Sequence, residues 1–474
     1  MYTDVTYQDW LATPDFERPR LLAEIIRGYK ASDDFQNGLA ANLYFRSENP
    51  EIASKTVLKA RAVEYKDKHD RTRKGTTMEE VVGNRIASGI FHRFVTQQNQ
   101  FLLGNGVTLK DETAKKRLGF GFDRQLSRLG ERALLHGVSW GFWNAGRLET
   151  IDAVKDANSG AVALVDERTS EPMVLVQFWQ VNVGRPLYVR LFTLDGVTEY
   201  RQGKEGLVEI TPLRPYVVHT QTDALGTVEV GGSNYATLPV KPFYANEERR
   251  SELTPAIKSK IDLYDRVLSD FGDNLDRAND VYWVLNNFGG TLDEVAELLE
   301  QINRVKAVAN MSDGTGAAST AEPRTIEVPH TARSEALNIL EKQLYSDYMA
   351  LNMDELTGGS LTNVAIETAT ANLNLKADRY EWQAFSFVQA ILALIGVETE
   401  EIRFKRQTIA NRSEIVNDIA LMRDYIDDET ALKHNPYFDQ DEIPAILDRL
   451  AVKKANEFPL PDITPDDPEE EKDA

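Results

Sequence analysis

An α+β fold with more helix than strand follows from three features of the sequence. Apolar residues recur at helical spacing through the first 135 residues and again from Pro255 onward, whereas between about 138 and 245 the periodicity shortens to that of strands. A heptad series then marks one segment. Ile257, Ile261, Tyr264, Leu268, Phe271, Leu275, Ala278 and Tyr282 alternate steps of four and three, the pattern of a helix seated against a neighbouring helix.

The N-terminal part reads as helices with few strand signals. A charged run from Arg61 to Lys74 precedes an amphipathic stretch from Met78 through Val82, Ile86, Ile90, Phe94 and Phe101, which Leu103-Gly104-Asn105-Gly106 stops. The β-rich runs VALVDE, PMVLVQFWQV, LYVRLFTL, TEYRQ and LVEITPL, separated by Gly, Pro and Asn-Ser-Gly turns, predict an antiparallel module. Thr254 and Pro255 suit the cap and first turn of the heptad helix. The heptad allows two readings, a single helix packed into its own core or a helix packed beside copies of itself.

A compact insert follows. Thr291 and Glu294 have capping-box spacing ahead of a short helix (Leu292 to about Asn303), Arg304–Met311 reads as a strand, SDGTGAAST as a loop and Arg324–Val328 as a second strand. The chain then turns back into a helix carrying Leu337, Leu340, Leu344, Tyr348 and Leu351 on one face. A loop with adjacent glycines, Gly358-Gly359, leads into Leu361–Ile395, which has no Gly or Pro and would extend ~52 Å as one helix. Short helices from Asn411 to about Asn456 and a Pro- and acid-rich tail from Pro459, read as disordered, complete the chain.

Composition narrows the function. The 474 residues suffice for two to four domains, and 54 Lys and Arg against 75 Asp and Glu leave a net charge of −21. So acidic a chain repels nucleic acid at long range, so any contact with DNA has to be local or non-adhesive. Zero cysteines exclude disulfides, thiolate nucleophiles and Cys-type metal sites. The N-terminus lacks the apolar core of a secretory signal, and the most apolar later stretch, Phe385–Val397, falls short of the ~20 residues a membrane span needs.

Catalytic signatures are thin. Gly137-Val138-Ser139-Trp140-Gly141 fits G-x-S-x-G, but helix precedes and strand follows, the reverse of a nucleophile elbow, so a glycine-bearing helix-to-strand turn is expected. No phosphate-cradling G-x-x-x-x-G-K-[ST] occurs. The six histidines stand singly. Asp262, Asp265, Asp270, Asp273 and Asp276 share the heptad helix and could bind a divalent ion, although a solvated face is the simpler reading. The basic run Lys66–Gly75 reads as a solvated linker. No cofactor and no metal are expected.

A series of segments carries a resemblance that no single motif does. Phe101-Leu102-Leu103-Gly104-Asn105-Gly106-Val107, Pro239-Val240-Lys241-Pro242-Phe243-Tyr244-Ala245-Asn246, Ser251-Glu252-Leu253, Ile261-Asp262-Leu263-Tyr264-Asp265 with Ser269-Asp270 and Asn274, and Gly358-Gly359-Ser360 before Asn363-Val364-Ala365-Ile366 stand in an order that resembles the portal, or head–tail connector, proteins of long-tailed double-stranded DNA bacteriophages. The resemblance extends from about Thr77 to Ala455. Thr362-Asn363-Val364 departs from the Ser-Gly that family members often carry in the loop.

What the resemblance implies is a non-enzymatic ring of about twelve copies at one capsid vertex, a conduit through which double-stranded DNA is packaged and ejected. It implies a wing over 1–250, a first stem helix over 251–283, an α/β clip over 284–330, a second stem helix over 331–352, a tunnel loop over 353–364, a long kinked wing helix over 365–396, a crown over 397–458 and a tail over 459–474. The DNA-facing loop would comprise Thr357, Gly358, Gly359, Ser360, Leu361, Thr362 and Asn363. Inter-subunit stem packing would fall to Ile257, Ile261, Tyr264, Leu268, Phe271 and Leu275. Implied partners are other copies of the chain, DNA, the terminase large subunit, a head–tail adaptor, and the major capsid and scaffolding proteins, with no membrane. The virion, preceded by host cytoplasm during assembly, is the implied location. The alternatives are a self-associating coat or scaffold protein, and a serine hydrolase using Ser139.

Overall fold

The computed structural model describes residues 3–66, 72–223, 226–278, 281–286, 320–325, 330–356, 362–398, 401–407, 412–438 and 442–457. The chain divides into two compact units, Met1–Leu351 with Asn372–Gln407, and Asn352–Ala371 with Thr408–Ala474.

The larger unit opens with helices α1 (Tyr7–Ala12), α2 (Arg18–Ala31), α3 (Asp33–Phe45) and the single turn α4 (Pro50–Ala53). Side-chain caps fix their starts. Thr6 and Asp9 form a capping box on α1, Ser32 accepts the Phe35 N–H at α3, and Asn49 accepts the Glu51 N–H beside Pro50.

Strands β1 (Thr56–Lys66) and β2 (Thr72–Val82) then pair antiparallel, in register from Thr56↔Val82 to Lys66↔Thr72. This corrects two expectations: Met78 and Val82 lie in a strand rather than a helix, and Lys66 and Thr72–Gly75 lie in a hairpin rather than a linker. A four-residue step is one helical turn but also two strand alternations, and the Thr- and Val-rich composition of Thr72–Val82 favours the pleat. Helix α5 runs only from Ile90 to Leu103, where Gly104-Asn105-Gly106 stops it.

After β3 (Val107–Leu109), α6 (Glu112–Arg117) and α7 (Phe122–His136) come the strands of the antiparallel module. These are β4 (Val138–Asn144), β5 (Arg147–Asp152), β6 (Val154–Asp156), β7 (Ser159–Val165), β8 (Pro172–Trp179), β9 (Tyr188–Thr193), β10 (Gly196–Gln202), β11 (Leu207–Arg214), β12 (Val217–Asp223), β13 (Gly226–Ser233) and β14 (Val240–Tyr244). β6 to β11 form a six-stranded meander, β4 lies between β14 and β5 in a second sheet, and β12 and β13 pair with each other.

At β7 and β8 the meander is buried on both faces, which is why β7 reads as an almost continuous apolar run. Val162, Leu164, Val174 and Val176 face Leu22, Ile25, Tyr29 and Phe35 of α2 and α3. Alternate residues Ala161, Ala163 and Leu175 face Trp140, Phe142 and Val240 of the three-stranded sheet.

Helix α8 (Pro255–Ala278) ends before β15 (Val281–Asn286), which pairs with β16 (Thr320–Thr325). Tyr282 therefore belongs to a strand and leaves the heptad seam at Ala278. The short helix read over 292–303, the strand over 304–311 and nearly all of the 312–320 loop lie outside the described residues, as does the tail from Pro459. α9 (His330–Tyr348) follows, then a 3-10 turn at Met353–Leu356 and α10 (Asn363–Leu394). β17 (Ile402–Phe404), a strand the sequence did not announce, pairs with β3. The smaller unit contains α11 (Arg412–Leu421), α12 (Asp428–His434) and α13 (Ile443–Glu457).

A third core gathers α5, α7, the first turns of α8, the end of α9 and the later part of α10. Gly130 of α7 permits this convergence, since a Cβ there would lie 2.1 Å from the Tyr380 hydroxyl and 2.6 Å from Asn99 Oδ1.

Buried His136 ties α7 to α3 and the meander. Its Nε2 lies 3.0 Å from Asn42 Oδ1, while Asn42 Nδ2 donates to the Val154 carbonyl. Burial, helped by the Arg132 charge, lowers its pKa from 6.5 to about 3. A base with a depressed folded-state pKa takes up its proton more readily when unfolded, so stability falls as pH drops from about 6.5 toward 3. Between pH 7 and 4.5 this contribution is roughly 2–3 kcal/mol. Urea unfolding at the two pH values should show His136→Gln losing less stability than the wild type by about that amount.

Candidate functional site

α8 starts as its sequence dictates. Thr254 Oγ1 accepts the Ile257 N–H and Pro255 occupies the first turn. Its apolar seam divides along its length. Ile257 and Ile261 are buried in the chain's own core, Tyr264, Leu268 and Phe271 are half-buried, and Leu275 is 42% exposed. Ile257 and Ile261 thus point into the chain's own core, while Leu275 at the far end of the seam stands exposed. The core formed by α5, α7 and α9 covers the two isoleucines.

The acids on α8 are not the solvated face expected. Asp262, Asp265, Ser269 and Asp273 are buried, and they accept hydrogen bonds from the segment on either side of the β1–β2 hairpin. Tyr44 Oη and Asn49 Nδ2 donate to Asp262, and Asn49 also donates to Asp265 at 2.8 Å. The backbone N–H groups of Ser88, Ile86 and Asn84 donate to Asp265, Ser269 and Asp273 at 2.9, 3.0 and 2.7 Å. The spacing explains the fit: two extended residues advance ~6.6 Å and four helical residues ~6.0 Å, so every second amide meets an acceptor one turn away. The close approach uses Gly83, where a Cβ would come 2.9 Å from Val57 and 3.1 Å from Asp273.

Electrostatics sort these carboxylates. Burial pushes Asp265 up, against the bonds from Ser88 and Asn49. At Asp273 burial acts in the same sense, but the Asn84 N–H and Lys55 outweigh it and hold the pKa below the usual carboxylate value. Asp273 thus stabilises the fold above about pH 4 and loses that contribution as pH falls through its folded-state pKa. Lys55 bridges Asp270 at 2.8 Å and Asp273 at 2.6 Å. Among the described residues no group of acids and histidines could hold a metal ion.

The second feature is a buried cation where the chain entering α8 and the end of α9 meet α10. Lys376 Nζ lies 2.8 Å from Glu252 Oε2, donates to the Tyr348 carbonyl at 2.8 Å and stands 3.2 Å from the centre of the Tyr348 ring. Burial pulls the Lys376 pKa down, and Glu252 pulls against it. Around this group, Gln97 holds both the N–H and the carbonyl of Leu351, Tyr348 Oη donates to Gln98, and Tyr380 Oη donates to Asn99. The chain entering α8, the end of α9 and α10 are thereby joined.

The Lys376 contacts were not anticipated, although a signal existed. Lys376 shares the apolar face of Leu373, Ala377 and Tyr380 at helical spacing. On the loop itself, Thr357, Gly358, Gly359, Ser360 and Leu361 lie outside the described residues. Its last residues do appear in the structure. Thr362 Oγ1 accepts the Ala365 N–H, and the Asn363 N–H donates to Glu414 at 2.6 Å.

Ser139 does not carry hydrolase chemistry. It lies fully buried in β4, the middle strand of its sheet, instead of on an exposed turn. Gly137 supplies the expected left-handed helix cap at φ +82°. Gly141 keeps an ordinary strand backbone and makes room for the Phe387 ring, 2.5 Å from where a Cβ would sit.

Among the described residues, α8 and α9 flank the β15–β16 pair in the chain, and a buried ion pair ties the start of α8 and the end of α9 to the 32-residue α10. The family described as phage portal protein, SPP1 Gp6-like, matches residues 51–457, and the chain belongs to it. It is 29% identical over 215 residues to the portal protein of Clostridium phage phiCD119, covering 44% of this chain and 47% of that protein. To the portal protein of Bacillus phage SPP1 it is 28% identical over 224 residues, 44% of this chain and 43% of that one. The matched stretches span less than half of either relative. No helix among the described residues is long and apolar enough to cross a membrane.

Removing one member of a buried ion pair strands the other, at a cost of about 3–5 kcal/mol. Chemical denaturation of Glu252→Gln should show a loss in that range. Lys376→Met in the same chain should restore most of it, because no buried charge is then left unpaired; a double variant as unstable as the single one would show that the pair is not coupled.

Proposed function

We propose that this chain is the portal subunit of a tailed phage, closing into a ring of about twelve copies at one capsid vertex, through which double-stranded DNA enters and leaves the head. The observation that carries the reading is the family match over residues 51–457, supported by the two relatives, each a portal protein. In this reading residues 1–250 form the wing, 251–283 and 331–352 the stem, 284–330 the clip, 353–364 the tunnel loop, 365–396 the long wing helix, 397–458 the crown and 459–474 the tail. The clip end offers docking to terminase and a head–tail adaptor, the wing and crown meet capsid and scaffolding proteins, and the assembled protein resides in the virion.

The physical case rests on two properties. α8 leaves Leu263 and Leu275 44% and 42% exposed, and α9 leaves Ile339 48% exposed, apolar area that a heterologous contact repeated around a closed ring would cover. The net charge of −21 per chain suits a conduit, because each phosphate neutralised by the protein would add affinity to be broken at every step of translocation. Thr357, Ser360, Thr362 and Asn363 offer hydrogen bonds without cationic charge, and Gly358 and Gly359 give the loop backbone freedom to follow moving DNA.

Light scattering with negative-stain imaging of the purified chain should reveal a monodisperse ring of about twelve or thirteen subunits around a channel. A chain that stays monomeric at high concentration would contradict the reading. Deleting Gly358–Ser360 should leave the ring intact while lowering DNA packaging or retention; normally filled heads would remove the loop from that role.

A further inference from the structure

We propose that the β1–β2 hairpin is an arm that docks on the adjacent copy of this chain, an inference that rests on the ring reading. Its two strands pair across Thr56↔Val82 to Lys66↔Thr72 and with no third strand among the described residues. Eleven residues per strand extend ~36 Å, and a two-stranded ribbon of this kind is marginal in water without a surface to cover it.

The arm is rooted firmly. Lys55 immediately precedes β1 and Asn84 follows β2, and both bind the one Asp273 carboxylate, Lys55 Nζ at 2.6 Å on Oδ2 and the Asn84 N–H at 2.7 Å on Oδ1. Ile86 and Ser88 extend the grip along α8. Both legs of the ribbon are thus held on the same helix turn, which presents it to a partner at little further ordering cost.

Its chemistry indicates what covers it. The register places Leu58, Met78 and Val82 on one face, with Glu80 across from Leu58, and the three apolar side chains are 52%, 60% and 67% exposed. Strands β1 and β2 carry five Lys or Arg and three Glu, 5 − 3 = +2. The remainder of the chain is then −21 − 2 = −23. A basic ribbon with an apolar face complements an acidic protein surface with exposed apolar side chains, and every neighbouring copy offers one. DNA would satisfy the charge but leave the apolar face in water, so the second copy is the better match. Such a contact is heterologous, each subunit giving an arm and receiving one, as ring closure requires.

The absence of cysteine makes the test direct. Met78→Cys, labelled with a benzophenone maleimide in the full-length chain, should on irradiation of purified rings give adducts at twice the subunit mass, mapping to a second chain. Rings giving only intrachain adducts, or adducts to an added duplex DNA fragment instead, would overturn the proposal. A second variant joins Lys59 to its cross-strand partner Glu79 through Asn-Gly, a two-residue turn that keeps the register. It should remain folded by circular dichroism yet need at least ten times the subunit concentration to assemble. Truncated rings that form as readily as wild-type rings would sink the arm alone, whereas a wild-type chain that never forms rings would sink the ring reading with it.

Discussion

The fold of the larger unit depends on one buried ammonium. Taking Lys376 out of water costs several kcal/mol by itself. The cost is offset only because a carboxylate, a backbone carbonyl and an aromatic face converge on the same nitrogen. Those groups come from Glu252, just ahead of α8, and from Tyr348 at the end of α9. The cation therefore fixes three chain segments that lie far apart in sequence, and Gln97, Gln98 and Asn99 on α5 complete the junction from a fourth. An apolar residue at 376 could fill the volume but would not specify which carbonyl and which carboxylate must meet there.

The sequence made some of this legible and concealed the rest for physical reasons. α8 was readable because Thr254, Pro255 and a heptad agreed on its start and face. The buried strands of the meander were readable because β-branched runs between turns have few alternatives. The β1–β2 hairpin was not, because even-numbered apolar spacing satisfies helix and strand alike and only the partner strand decides between them. The acid stripe Asp262, Asp265, Ser269 and Asp273 was visible as helical periodicity, but polar residues on a helix face normally meet water. Their partners here are backbone amides of an extended segment, and amides leave no mark in a sequence. Lys376 was concealed in the opposite way, as one charged residue among apolar ones.

α8 consequently works on two sides of itself. Its first turns and its acid stripe are committed within the chain, to the core through Ile257 and Ile261 and to residues 44–88 through carboxylates. Its half-buried and exposed apolar residues, Tyr264, Leu268 and Leu275, are what remains to meet a neighbour. A helix tied down on one side presents the other side in a fixed orientation, and the repeated contacts of the proposed ring would demand that orientation, since small angular errors accumulate from subunit to subunit.

The same commitment changes how the net charge should be weighed. Lys258 pairs with Asp262, Lys55 is shared by Asp270 and Asp273, and Lys260 pairs with Asp347, so these four acids carry only one uncompensated charge to a distance. The β1–β2 ribbon, +2 over its two strands, is itself rooted on α8 through Asp273. In the proposed arm contact the basic side chains of the ribbon would be taken up between subunits, and the acidic remainder of the chain would be left to face the DNA of the proposed channel.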